Sequence, residues 1–171
     1  MKILGAILAG GQSRRFGSDK ARALFKGKPL LEHAADALRP VCAQLVVAGR
    51  EWANIHSVTD LPTPGLGPLG GLAGALHYAE SQGFDAVLSS GCDIAGLPFD
   101  LLQRLGTGPS IFDKLPIIGI WPSALAEPLV EWMSDPRNRS VYRFADHIGA
   151  RRVIAPDGLI NVNQNSDLHL S

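Results

Sequence analysis

The sequence predicts an α/β fold: a doubly wound, mostly parallel sheet with helices on both faces, in three layers. Three observations predict it. Short, nearly continuous apolar runs alternate along the chain with segments of helical periodicity. The runs carry few polar interruptions, as strands buried on both faces must. The first run, Ile3–Ala9, ends abruptly in Gly10-Gly11, the kind of break at which an open parallel sheet receives a ligand.

Taken in order, Ile3–Ala9 is the first strand. Pro29 stands where a helix starts, Leu31, Ala34, Ala35 and Leu38 follow at helical spacing, and Pro40 closes the segment. Gln44–Ala48 is the second strand, and His56–Thr59, ending at Asp60, a weaker third. A Pro/Gly-rich loop, Leu61–Pro68, leads into the stripe Leu69, Leu72, Ala73 and Leu76. Ala86–Ser90 is a fourth strand that ends near Asp93. Phe99–Leu105 reads as a short helix, and Ile111-Phe112 and Ile117–Trp121 as strands. Leu125, Leu129, Trp132 and Met133 form one helical stripe, with Pro128 in the first turn. Val141, Phe144, Ala145 and Ile148 form another. Val153-Ile154 and Leu159–Val162 are strand pieces. No internal repeat or linker interrupts this order, so residues 1–171 are expected to form a single domain.

Composition narrows the function classes. The 171 residues are 46% hydrophobic and 19% charged, and Lys+Arg and Asp+Glu balance at 16 each. That balance argues against nucleic acid or a membrane surface as a partner. The basic residues are unevenly placed, however. Arg14, Arg15, Lys20, Arg22, Lys26 and Lys28 crowd one stretch that holds a single acid, Asp19, and such a patch suits a small anion. Cys42 and Cys92 are the only cysteines and show no metal or disulfide spacing. Both are expected to be reduced, buried and inert. Ile3–Ala9 is too short for a leader or a membrane span, which makes the cytoplasm the expected compartment.

The loop after the first strand carries the functional signal. It is neither a P-loop, since Lys20 lies three past Gly17 and is followed by Ala21, nor a GxGxxG fingerprint, since Gly10 and Gly11 are adjacent. The physical logic survives both failures. Glycines let backbone N–H groups approach a polyphosphate, while Arg15 and Lys20 neutralise its charge. Asp93, just past the fourth strand, is placed to hold Mg²⁺ against phosphate oxygens. The glycines of Gly65–Leu72 allow backbone to lie flat on a ligand ring near Asp60. Asn161 and Asn163 alternate with Val162, so on an extended segment both amides face one side. The five histidines show no metal or nucleophile pattern.

Together these segments resemble the molybdenum cofactor guanylyltransferase family. Leu8-Ala-Gly-Gly11 with Arg15, Gly17 and Asp19-Lys20 is similar to its opening motif, and Gly27-Lys-Pro-Leu30 to the stretch that follows. Asp60 and Gly67-Pro-Leu-Gly-Gly71 resemble its second segment, Asp93 its metal-binding aspartate, and Asn161-Val-Asn163 its acceptor motif. The chain departs from the pattern at Gly91, at Gly49-Arg50 and at Gln164-Asn165.

The resemblance implies a Rossmann-like nucleotidyltransferase fold and transfer of GMP from Mg·GTP to molybdopterin, with release of pyrophosphate. It implies Leu8, Ala9, Gly10, Gly11, Lys20, Asp60, Gly67, Pro68 and Leu69 as substrate-binding positions. Asp93 would also bind Mg²⁺, and Asn161 and Asn163 would face the pterin. Arg15, Lys20 and Asp93 are the candidate catalytic residues. Proteins that make or receive the cofactor are possible partners. The alternatives are cytidylyl or sugar-phosphate nucleotidyl transfer, and a GTP-binding accessory module with a degraded acceptor site.

Overall fold

The computed structural model describes residues 1–10 and 19–162. The strands are β1 (Ile3–Leu8), β2 (Leu24–Phe25), β3 (Lys28–Pro29), β4 (Gln44–Ala48), β5 (His56–Val58), β6 (Ala86–Gly91), β7 (Ile94–Ala95), β8 (Ser110–Phe112), β9 (Leu115–Pro122), β10 (Arg151–Val153) and β11 (Ile160–Asn161). The helices are α1 (Leu30–Leu38), α2 (Gly67–Ser81), α3 (Leu101–Leu105), α4 (Ala126–Trp132) and α5 (Val141–His147).

Seven strands form one sheet in the order β10-β8-β9-β6-β1-β4-β5. Within it, β9 runs antiparallel to both its neighbours, and every other pairing is parallel. The chain leaves β1 toward β4 and β5, then returns to pair β6 on the opposite side of β1. That reversal opens a crevice beside β1, where doubly wound sheets take ligands.

All six residues of β1 are buried, because helices cover both faces of the sheet. Leu4, Ala6 and Leu8 pack with α2, α4 and α5, around Leu72, Leu76, Leu129 and Phe144. Ile3 and Ile7 pack on the other face with α1 and α3, around Leu31, Leu38, Leu101 and Leu105. The period of two along β1 thus divides the interior into two cores and produces the three layers.

Helix α2 is buried on nearly every side, and small residues let it lie close to the sheet. A Cβ on Gly74 would come within 2.0 Å of the Thr59 carbonyl oxygen. In the other direction, Trp121 is fully buried and donates its Nε1–H to Ser89 Oγ at 2.9 Å, which in turn donates to the Ile117 carbonyl at 2.7 Å. No helix among the described residues is long and apolar enough to cross a membrane.

Two short features escape the periodic reading. Lys20–Arg22 form a single 3₁₀ turn, and β2 and β3 form a small hairpin whose turn residues, Lys26 and Gly27, both have positive φ.

Candidate nucleotide site

Sheet register builds the site. Leu8 is aligned with Ala48 on one side and Gly91 on the other, and Ala48 with Val58. The residues just beyond them, Gly10, Gly49-Arg50, Thr59-Asp60 and Cys92-Asp93, therefore form one rim. Four sequence segments separated by long crossovers meet at the carboxyl edge of four neighbouring parallel strands.

Two cavities open along this rim. The larger, about 550 Å³, is lined by Gly10, Gly49, Arg50, Thr59, Asp60 and Gly67, among others. Its volume lies within the range of small-ligand pockets. The smaller, about 190 Å³, lies at the β1–β6 crevice against Leu8, Ala9, Gly10, Asp19, Lys20, Arg50, Pro68 and Asp93. Gly10 and Arg50 line both.

Asp60 is the unusual group of the larger cavity. It is 8% exposed, and its Oδ1 is buried with no hydrogen-bond partner among the described residues. Burial raises its pKa, with the Gly65 backbone N–H pulling the other way. A buried acceptor without a donor is costly unless a ligand supplies one. Gly70 and Gly71 pack directly against this side chain, so a Cβ on Gly70 would lie 3.3 Å from Asp60 Oδ2.

The smaller cavity is polar. Lys20 Nζ lies 3.2 Å from Asp93 Oδ2, and both side chains are partly exposed to the opening. Asp19 accepts from the Ala21 backbone N–H and from the Arg50 guanidinium, whose hydrogen bonds hold its carboxyl below the usual carboxylate range. Among the described residues no group of three or more His, Cys, Asp or Glu is placed to hold a metal ion. The carboxylate left for a metal is Asp93, because both oxygens of Asp19 accept from Arg50. An oxygen-only set with so few protein ligands suits Mg²⁺, which takes its other ligands from water and substrate phosphates. It does not suit a metal caged by the protein alone.

The site brings together most of the positions expected from sequence. Leu8, Ala9, Gly10, Lys20, Pro68 and Asp93 line the smaller cavity, and Gly10, Asp60 and Gly67 the larger. Leu69 points elsewhere: its side chain is wholly buried in the α2 core. The glycine-dense segment also divides. Gly65 and Gly67 line the larger cavity, whereas Gly70, Gly71 and Gly74 face protein. Asn161 is exposed on β11, aligned with Ile94, and its neighbour Val162 donates its backbone N–H to the Asp93 carbonyl at 2.8 Å. The C-terminal segment therefore reaches the main chain at Asp93, although Asn161 lines neither cavity. Gly11, Arg15 and Asn163 lie outside the described residues.

Arg50 is the functional candidate that periodicity missed. It falls in the stretch where the chain departs from the family pattern, and its position at a parallel strand's carboxyl end was the available signal. Both cysteines are free and partly buried, and burial pushes each thiol up to about 12, in line with inert thiols.

A mostly parallel sheet with two adjoining cavities at its carboxyl edge, the smaller lined by paired cations and carboxylates, suits a nucleotide-handling enzyme, and similarity to known proteins specifies the class as nucleotidyltransferase. A family model described as the MobA-like NTP transferase domain matches residues 5–155. The chain is 33% identical to a molybdenum cofactor guanylyltransferase of Cereibacter sphaeroides, over 98% of this chain and 94% of that protein. It is 32% identical to another from Acidiphilium cryptum, over 95% and 90%. Among solved structures, the molybdopterin-guanine dinucleotide biosynthesis protein A of Archaeoglobus fulgidus shares the fold at TM-score 0.73 and 20% identity, covering 96% of this chain and 94% of that one. The chain belongs to the molybdenum cofactor guanylyltransferase family, and it is a nucleotidyltransferase.

Proposed function

We propose that the protein transfers GMP from GTP to the phosphate of molybdopterin, forming a guanine dinucleotide cofactor and releasing pyrophosphate. The observation that carries this reading is the junction of the two cavities at Gly10 and Arg50. A nucleoside in the larger cavity directs its phosphates past Gly10 into the smaller one, toward Lys20 and Asp93. The orphaned Asp60 oxygen calls for a ligand donor in the larger cavity. The names of the relatives support guanine as the base and molybdopterin as the acceptor.

The transfer forms a bond from an acceptor phosphate oxygen to the α-phosphorus and breaks the bond from that phosphorus to the bridging oxygen, which leaves with pyrophosphate. A phosphate oxygen is already an anionic nucleophile, so the residues need not generate one. Backbone at Ala9 and Gly10 and the Lys20 ammonium align the triphosphate and offset its charge. Arg15, outside the described residues, is the further cation that the sequence offers for the triphosphate. Asp93 would hold Mg²⁺, which when bound would neutralise phosphate charge as a Lewis acid. Asn161, whose neighbour Val162 bonds the Asp93 main chain, and Asn163 are the residues proposed to meet the pterin.

The test is pyrophosphate release with GTP, Mg²⁺ and the molybdenum–pterin acceptor, with CTP and ATP in parallel. Release with GTP in preference to both supports the assignment. Equal or faster release with CTP would replace guanylyl by cytidylyl transfer, and tight GTP binding without release would indicate an accessory module.

A further inference from the structure

The side chain that joins the two cavities has no role in the scheme above. Arg50 lies two residues past the end of β4, and its Nη1 donates to Asp19 Oδ1 at 2.6 Å while Nη2 donates to Oδ2. This is a fork-to-fork pair, the most directional ion pair that a carboxylate forms. The same Asp19 Oδ1 accepts from the Ala21 backbone N–H at 3.1 Å and so caps the 3₁₀ turn that opens with Lys20. Lys20 in turn meets Asp93. One chain of contacts thus runs Arg50–Asp19–Lys20–Asp93, from the end of β4 to the end of β6 across the mouth of β1.

Two further observations show that the Asp19 pair does not exhaust Arg50. Its guanidinium carries five N–H donors, of which Asp19 takes two. The Nε is buried and without a partner among the described residues. The Trp52 ring centroid lies 5.6 Å from the guanidinium carbon and 5.2 Å from that of Arg22. The side chain is therefore braced rather than solvated, and it borders both the nucleoside and the phosphate cavity. Its backbone is braced as well. Gly49 has φ +88°, and a Cβ there would meet Gly10 Cα at 2.5 Å, so the two loops touch main chain to main chain just before Arg50.

We propose that Arg50 is a further nucleotide-positioning residue, which offers guanidinium donors to the phosphate nearest the nucleoside and, through Asp19, fixes Lys20 against the rest of the triphosphate. The inference rests on the nucleotidyl-transfer reading above and deepens it. A phosphate at the junction can take donors left over by Asp19 without breaking that pair. Lys20, on a turn capped by Asp19, is then aligned before the nucleotide arrives, so little ordering remains for binding to accomplish.

The experiment measures binding of GTP and guanosine by calorimetry, with the full chain and its Arg50→Ala, Arg50→Lys, Lys20→Ala and Arg50→Ala/Lys20→Ala variants, alongside thermal melts. The expected result is that Arg50→Ala weakens GTP binding by about tenfold or more, as for a lost charge-assisted pair. Guanosine binding changes by less than about twofold. Arg50→Lys keeps the melting temperature of the wild type and recovers part of the GTP affinity, because it retains charge without the fork. Lys20→Ala costs less in the Arg50→Ala background than alone, since the two act on one alignment. Equal losses for GTP and guanosine, or additive effects of the two substitutions, would overturn the inference and leave Arg50 as a purely structural brace. Wild-type protein that binds no nucleoside triphosphate would overturn the underlying reading as well. Wild-type binding with unaffected Arg50 variants would overturn this inference alone.

Discussion

Lys20 Nζ stands 3.2 Å from Asp93 Oδ2, joining the turn after the first loop to the carboxyl end of β6 across 73 residues of sequence. Both side chains are partly exposed, so the pair adds little to stability, about 1 kcal/mol or less. Its significance is positional: it places a cation and a carboxylate on facing walls of the smaller cavity.

Lys20→Ala and Asp93→Ala are therefore expected to separate folding from turnover. On the proposed transfer, each removes a charged group that serves the triphosphate or its metal, with a barrier increase of ~3 kcal/mol and a rate loss of roughly a hundredfold. The melting temperature should move by only a few degrees, as for about 1 kcal/mol. Pyrophosphate release and a thermal melt on the same preparations check both halves. Full turnover by Asp93→Ala in the presence of Mg²⁺ would remove the metal assignment.

Asp60 gives a pH-dependent prediction. Burial raises its pKa, so the folded protein holds this proton more tightly than the unfolded chain does. Stability from this group is complete below the unfolded value, about 3.9, and declines as pH rises through the raised folded value. Asp60→Asn keeps the shape and loses the titration. The melting temperature of the variant should gain on that of the wild type as pH rises above about 4. Parallel melts across that range test the sign; a constant difference would mean that Asp60 ionises in the fold as readily as in water.

Where sequence reading succeeded and where it stopped follows from the range of the forces involved. β1, β4, β6 and α1 were legible because burial leaves its mark, as an apolar run or a helical stripe, on five to nine successive residues. The 3₁₀ turn at Lys20 and the β2–β3 hairpin were not, since two or three residues carry no period and the hairpin depends on positive φ at Lys26 and Gly27. Ile117–Trp121 was legible as a strand, but its antiparallel direction is set by pairing with β6 and β8. The Gly10, Asp60 and Asp93 positions were legible because each lies just past a strand's carboxyl end. Arg50 does too, yet its meaning depends on Asp19, which is 31 residues away in sequence. The glycines of α2 illustrate the same limit. Spacing could not distinguish Gly67, which borders a cavity, from Gly74, which borders the Thr59 carbonyl.

The buried Ser89–Trp121 hydrogen bond yields a stability prediction away from the site. Ser89→Ala would leave the Trp121 indole N–H without its acceptor in a fully buried position. The expected cost is about 1–3 kcal/mol. Adding Trp121→Phe removes the orphaned donor but opens a void, so the double variant should cost less than the sum of the two single changes. Denaturant melts of the three variants measure the coupling, and strict additivity would show that the indole finds another partner.

Gly74→Ala tests how α2 is seated. In an isolated helix this change is favourable by about 1 kcal/mol, because alanine loses less backbone entropy. Here the added Cβ would lie 2.0 Å from the Thr59 carbonyl oxygen and 3.7 Å from Asp60 Cα. The first contact is with main chain, which cannot rotate away, so α2 must lift from β5 or the end of β5 must shift. Overpacking of this kind costs about 1–3 kcal/mol, which outweighs the helical gain. Gly74→Ala should therefore lower the melting temperature by several degrees, as for a loss on the order of 1–2 kcal/mol. Because Asp60 sits next to the strained carbonyl, the same change should weaken nucleotide binding even under conditions where the protein remains folded. Calorimetric titration with GTP below the melting transition reads that second effect. A variant as stable as the wild type would mean that α2 lies farther from β5 than the Thr59 contact places it.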